Sequence, residues 1–295
     1  AQQPEFITFM NSIGIDISYG WHFAFGIAAV GMLLGLYQYK VGGKHLGDVG
    51  LKPANPIKKE KKEKVPYSAE DKKRLVVIGI LLVFCALFFS AFEQAGSSLN
   101  LFALNNTNNT FLGFDFPSTW FQSQNALFIL MFGPLFSWLW VKLNSVGKEP
   151  SGATKFMMGL MGVGIGFAFL WVATALFPGE KVGPMWLTMV YLFHTLGELC
   201  LSPVGLSLMT KLAPERIQGS IMGMWFVAVG FGGGFVGGIV AMFYDPSAGQ
   251  ETLFSFITIY CLVSAAILGF LIKPIKNMLA NDTSETVKEK EVEAV

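Results

Sequence analysis

Seven stretches of this chain are long and apolar enough to cross a lipid bilayer, and nothing else in the sequence constrains the fold as tightly. A spanning helix needs about 20 mostly apolar residues. Such runs occupy 20–39, 75–104, 119–141, 155–177, 184–210, 217–243 and 252–272. The sequence lacks the alternating ten-residue segments that build membrane barrels. A helix satisfies its own backbone in hydrocarbon, so the expectation is an all-α integral membrane protein with about seven transmembrane helices. Composition agrees. Of 295 residues, 53% are hydrophobic and only 14% charged, against about 25% charged in an ordinary soluble domain. A net charge of +1 gives no electrostatic reason to expect nucleic acid as a partner.

The basic residues orient these spans. The segment 40–74 holds 11 of the 21 Lys and Arg, including the run Lys58-Lys59-Glu60-Lys61-Lys62. The loops 142–155 and 211–216 hold 3 and 2, and the tail from Lys273 holds 4. All of these fall on one side, and only Lys181 falls on the other. Cytoplasmic loops carry the excess of Lys and Arg, so that side is assigned to the cytoplasm. The expected location is the cell (inner) membrane, with residues 1–19 outside and the C-terminus cytoplasmic. The expected organisation is an outer segment and lone helix (1–40), a charged cytoplasmic linker (41–74) with Pro53, Pro56 and Pro66, a six-helix bundle (75–272) and a cytoplasmic tail (273–295). The last 15 residues are polar and are expected to lack fixed structure.

Several features carry little chemistry. Cys85, Cys200 and Cys261 sit in apolar runs without Cys/His metal spacing, so neither a metal nor a cofactor is expected. The outer loop 105–110 (NNTNNT) contains two N-x-T patterns, and its plain reading is a polar loop. There is no phosphate loop, nucleophile elbow or HExxH, which argues against an enzyme.

The informative residues are two carboxylates inside spans. Glu93 and Glu198 are the acidic residues that no loop accommodates. Each costs about 3 kcal/mol or more at mid-membrane if charged and unpaired. No span supplies a Lys or Arg, so either the carboxyls are neutral or their cations come from elsewhere, from a bound substrate or from a missing part of the protein. Glu93 lies in a small, polar stretch, Ser90 to Asn100, which must line a cavity or a helix contact at that depth. His194, Glu198 and Ser202 are spaced i, i+4, i+8 on one helix face. Pro203 removes a backbone donor beside them. His194 is either a hydrogen-bonded core residue or a proton carrier acting with Glu198. In the sixth span, Gly230-xxx-Gly234-xxx-Gly238 is expected to allow close helix approach, and the Gly-rich run could also permit bending. Trp225 and Phe226 are open to core, interfacial and pocket-wall readings.

At these residues the chain resembles the proton-dependent oligopeptide transporter family. FEQAGSSLNLFA (92–103) looks like the seventh helix of that family, and STWFQSQNALFILMFGPLFSWLW (118–140) like the eighth. GELCLSPVGLSLMTKLAPERIQGSIMGMWF (197–226) resembles helices ten and eleven, and YGWHFAFGIAAVGML (19–33) the sixth. The resemblance implies a major facilitator superfamily architecture, of which this chain would hold the last helix of the N-terminal bundle and the whole C-terminal bundle. It implies symport of di- and tripeptides with protons by alternating access, with lipid bilayer, peptide and protons as partners. Carried over by motif, Glu93 matches the proton-coupling carboxylate, with Gln94 beside it as a possible accessory. Asn125 and Glu198 match the pair that holds the peptide amino terminus. Trp225 and Phe226 match pocket walls, and Ser202 is a neighbour on the Glu198 face. His194 has no counterpart in the family pattern.

The chain also departs from the family. The first-helix Glu, Arg and Tyr motif and the fourth-helix Lys are absent, and the loop 178–183 is short, as in microbial members. A chain beginning Ala1-Gln2-Gln3-Pro4 with its first span running inwards is what remains of a twelve-helix carrier without its first five helices. The missing N-terminal helical bundle is therefore an expected partner, and the chain alone is not expected to transport. Two alternatives stay open: a related carrier of nitrate, a drug or a glycoside, and a seven-helix receptor. The last span lacks the Lys that a retinal protein needs.

Overall fold

A computed structural model describes residues 4–14, 16, 19–46, 66–111, 113–244 and 250–293. The opening residues 1–3, Pro53, Pro56 and the basic run 58–62 lie outside the described residues. The chain divides into two compact units, 1–66 and 67–295.

The first unit holds α1 (Pro4–Ser12) and α2 (Gly20–Leu46). The 27 residues of α2 cover the first expected span, and at 1.5 Å per residue they run about 40 Å. The helix extends past position 40 into what the sequence assigned to the linker. Lys44 and His45 occupy its last turn, where positive charge faces the free carbonyl ends.

The second unit is a helical bundle. Its first helix, α3 (Ala69–Phe92), starts six residues before the expected span. The cause is local: Ser68 Oγ accepts from Asp71 N at 2.9 Å, and Asp71 Oδ2 accepts from Ser68 N at 3.2 Å. Such a capping box satisfies two orphan donors of the first turn. A 3-10 turn (Glu93–Gly96) separates α3 from α4 (Ser98–Asn105). Next come a short hairpin, β1 (Thr110–Phe111) with β2 (Phe114–Asp115), then α5 (Trp120–Ser145), α6 (Gly152–Leu176) and α7 (Pro184–Leu212). The helix α8 (Gln218–Gly230) passes through a π-helical turn (Phe231–Val236) into α9 (Gly237–Ala241). Last is α10 (Glu251–Glu293). Six of these segments among the described residues are long and apolar enough to cross a membrane: 69–105, 120–145, 152–176, 184–212, 215–241 and 251–279. The polar tail does not lose structure as expected. Its backbone continues α10 to Glu293, and its Glu and Lys residues are good helix formers.

The core sits around α6, which packs against α7 on one side and α10 on the other. Phe156, Leu160, Phe167 and Leu170 of α6 are fully buried, with Leu201 of α7 and Phe254 of α10. The α6–α7 crossing is made by glycine. A Cβ on Gly197 would lie 2.7 Å from the Gly159 carbonyl oxygen, and one on Gly162 would lie 2.9 Å from the Gly197 Cα. Only residues without a side chain allow backbones this close. Below this seam Lys155, which the sequence placed in a loop, is 5% exposed in the first turn of α6. Its Nζ donates to Glu149 at 2.6 Å and lies 4.3 Å above the Trp140 ring.

The three cysteines are buried. The N-x-T loop is pinned by its backbone, with Asn108 N donating to Val182 O at 2.8 Å and Val182 N to Asn106 O at 2.9 Å. Thr107 within it is buried.

Candidate substrate cavity

The site begins where α3 breaks. The helix gives way to the 3-10 turn at Glu93, and one side chain holds the break in place. Gln94, fully buried, donates through Nε2 to Ser90 O at 3.0 Å and to Gly237 O at 2.8 Å. Its Oε1 accepts from Ser97 Oγ at 3.1 Å and from Ser98 Oγ at 2.7 Å. All four hydrogen-bonding positions of the amide are used. Gln94 therefore ties the break in α3 to the start of α9. Ser90 adds a second tie, 2.9 Å from the hydroxyl of Tyr260 on α10.

Glu93 points away from this knot and is exposed. It faces the π-helical turn, where a Cβ on Gly233 would fall 2.4 Å from Glu93 Cγ. Glu93 lines two cavities. One, of about 410 Å³, is bounded by Ser97, Val229 and the glycines 230, 233, 234, 237 and 238. The other, of about 250 Å³, lies between the break, Gln122 and Asn125 of α5, and Tyr191 and His194 of α7.

Asn125 joins this second cavity to Glu198. Its amide nitrogen donates to Glu198 Oε2 at 3.1 Å and to Thr195 Oγ1 at 3.1 Å. Glu198 is half-buried and follows Gly197, the residue locked against α6. The glycine seam thus fixes the height and rotation of α7, and the carboxyl is delivered to the α5 side. Among the described residues no Lys or Arg is paired with Glu93 or Glu198. The arrangement is an acceptor-rich cleft without its own cation, open to protonation or to a positively charged ligand.

The remaining sequence candidates are placed as follows. His194 is 1% exposed. It hydrogen-bonds the Val163 backbone, and its ring lies 4.8 Å from that of Phe167. It touches the smaller cavity, but no hydrogen bond joins it to Glu198. The Ser202 hydroxyl is buried without a partner among the described residues. Trp225 is 2% exposed and fills the space left by Gly205, edge-on to Phe156. Its neighbour Phe226 is 62% exposed. The glycine motif of α8 and α9 is shifted from the expected register. Positions 230, 234 and 238 face open space, whereas a Cβ on Gly232 would meet the Ala86 carbonyl oxygen at 2.3 Å. Gly230, before the π turn, is open as well: the triplet lines the larger cavity, and a neighbouring face of the helix meets α3. Thr195, Tyr191 and Gln122 were not singled out by sequence. Thr195 precedes Glu198 by three residues, a helical spacing that places it beside the carboxyl.

An apolar helical bundle with six membrane-length helices, and with carboxylates and amides converging on a cleft, is that of a multi-pass membrane protein. The chain belongs to the POT family: the pattern of that family (PTR2: POT family) matches residues 59–254. It is 44% identical over 220 residues to the peptide transporter YePEPT of Yersinia enterocolitica subsp. palearctica, covering 72% of this chain and 43% of that protein. It is 26% identical over 332 residues to the di-/tripeptide transporter of Lactococcus lactis subsp. cremoris, covering 92% and 65%. A solved structure of a mutant peptide transporter POT in complex with alafosfalin superimposes with a TM-score of 0.75 at 30% identity, over 88% of this chain and 62% of that one. A POT family transporter in complex with 5-aminolevulinic acid does so with a TM-score of 0.73 at 26% identity, over 92% and 66%. The architecture is that of the major facilitator superfamily. The chain spans about half the length of the curated relatives it matches.

Proposed function

We propose that this chain is the C-terminal part of a carrier that moves di- and tripeptides with protons across the cell membrane, with its C-terminus in the cytoplasm. The observation that carries the reading is the Asn125–Glu198 pair, an amide and a carboxyl 3.1 Å apart beside a cavity, with no Lys or Arg among the described residues paired with the carboxyl. A peptide ammonium would neutralise Glu198 through a charge-assisted bond, which is strong where water is excluded. An anion such as nitrate gains nothing from a carboxylate there, so the pair disfavours the anion-carrier alternative. Glu93, lining two cavities and opposite the π turn, is the proposed proton-coupling group. The relatives' names support the cargo, and their greater length supports a second helical bundle that completes the site.

The test is Glu198→Gln in the complete carrier. The amide keeps the shape and loses the charge. Dialanine binding is expected to fall at least a hundredfold while the folded yield is unchanged, about 3 kcal/mol for a buried charged contact. Glu93→Gln is expected to leave dialanine counterflow intact and abolish uptake driven by a pH gradient. Unchanged dialanine binding in the first variant removes Glu198 from the site, and retained acid-driven uptake in the second removes Glu93 from coupling.

A further inference from the structure

We infer that Thr195 is a positioning residue that decides which face of Asn125 the substrate meets, an inference that rests on the proposed amino-terminus clamp. Thr195 is fully buried on α7. Its hydroxyl has one proton, and that proton goes to the Tyr191 carbonyl, 2.7 Å away. With the proton committed, Oγ1 can only accept from the Asn125 side chain at 3.1 Å. The one donor on that side chain is its amide nitrogen. Chemistry alone therefore fixes the orientation of the Asn125 amide. The nitrogen's second proton serves Glu198 Oε2 at 3.1 Å. With both protons in use, what Asn125 offers the cavity it lines is its carbonyl oxygen.

The consequence is selectivity. Asn125 Oδ1 and the Glu198 carboxyl both present acceptors, and an ammonium carries three donors and no acceptor. An acylated amino terminus places a carbonyl in the same spot and leaves acceptors facing acceptors, which is penalised in a site shielded from water. Glu198 cannot hold the amide in this orientation by itself. As a carboxylate it accepts from the Asn125 nitrogen, but once protonated it can donate equally well to the Asn125 oxygen. The Thr195 hydroxyl does not change with that protonation. Thr195 thus keeps the Asn125 oxygen turned to the cavity throughout the proton cycle.

The experiment compares dialanine with N-acetyl-dialanine in the complete carrier reconstituted in liposomes, at neutral and at acid external pH. Thr195→Val removes the hydroxyl at nearly constant volume. It is expected to raise the dialanine KM about five- to tenfold, the worth of one hydrogen bond, with little change in kcat. Its preference for the free amine should collapse further at acid pH, and Thr195→Ser should restore it. A role in packing alone would lower yield and uptake of every substrate without moving the ratio of the two KM values. If the valine variant does not fold, Thr195→Ala is read by the same ratio. A wild-type ratio at both pH values in a hydroxyl-free variant overturns the inference and leaves the clamp standing. Undiminished dialanine binding in Glu198→Gln overturns the clamp, and the role of Thr195 with it.

Discussion

Two helix crossings in this bundle use glycine, and they use it differently. At the α6–α7 crossing, Gly159, Gly162 and Gly197 bring two uninterrupted helices into backbone contact. At the crossing of α3 with α8 and α9, Gly232 likewise meets the Ala86 backbone, but it does so from a π turn, and α3 itself breaks two turns further on. A 3-10 turn follows α3, a π turn divides α8 from α9, and cavities of about 250 and 410 Å³ open beside Glu93. The first crossing is a seam of direct backbone contact between two continuous helices. The second replaces part of that regularity with one side chain, Gln94, bonded to Ser90 and Gly237 on the two partners. Rigid packing sets where α7 holds Glu198. Interrupted packing lets polar groups open onto a cavity at membrane depth, which a regular lipid-facing helix cannot do.

The strongest way to break this contrast is Gly197→Val. Its side chain would collide with the Gly159 backbone, which cannot yield, so a loss of about 3 kcal/mol or more is expected. The measurement is the monodisperse peak in size-exclusion chromatography in detergent, and a normal peak would show that the seam is not rigid. Gln94→Leu is expected to be milder for the fold, at about 2 kcal/mol, because it leaves the Gly237 carbonyl and the Ser98 hydroxyl without their partner. Its sharper signature is faster hydrogen exchange over 90–98 with unchanged exchange in α6. Equal acceleration in both would mean that Gln94 is not local to the interrupted crossing. The smallest effect belongs to Gly234→Ala. This position faces open space despite its place in the glycine motif, and the change should move thermal stability by no more than about 0.5 kcal/mol. A large loss there would restore the register expected from a regular helix.

That register shows where sequence reading stops. The spacing Gly230, Gly234, Gly238 is right for contact on a regular α-helix, yet the close contacts fall on Gly232, Gly233 and Gly237 while the triplet lines a cavity. Spans were legible because about 20 apolar residues leave a helix no alternative in lipid. Their ends were less so: α3 starts at a capping box inside the presumed linker, and α10 continues through the polar tail. Glu93, Asn125 and Glu198 were legible from motif resemblance and from the cost of a carboxyl inside a span. Trp225 and Phe226 were equal candidates in the sequence, yet one fills the notch at Gly205 and the other is exposed. A dipeptide in one helix cannot report which of its two faces meets a neighbour.

By itself, then, the sequence determined that this chain lies in a membrane as helices and that two carboxyls there need an explanation. Hydrocarbon forces both conclusions residue by residue, without reference to neighbours. Only the tertiary structure decided that Asn125 comes within hydrogen-bonding distance of Glu198, 73 positions away, and of Thr195. It also decided that Gln94 is a tie between helices and that the glycine contact falls on a face other than the one the motif marks. Those outcomes depend on how one helix is rotated against another, and that rotation is fixed by close packing across the bundle, where a few missing side chains at Gly159, Gly162 and Gly197 set the angle at which every polar group on α7 is presented.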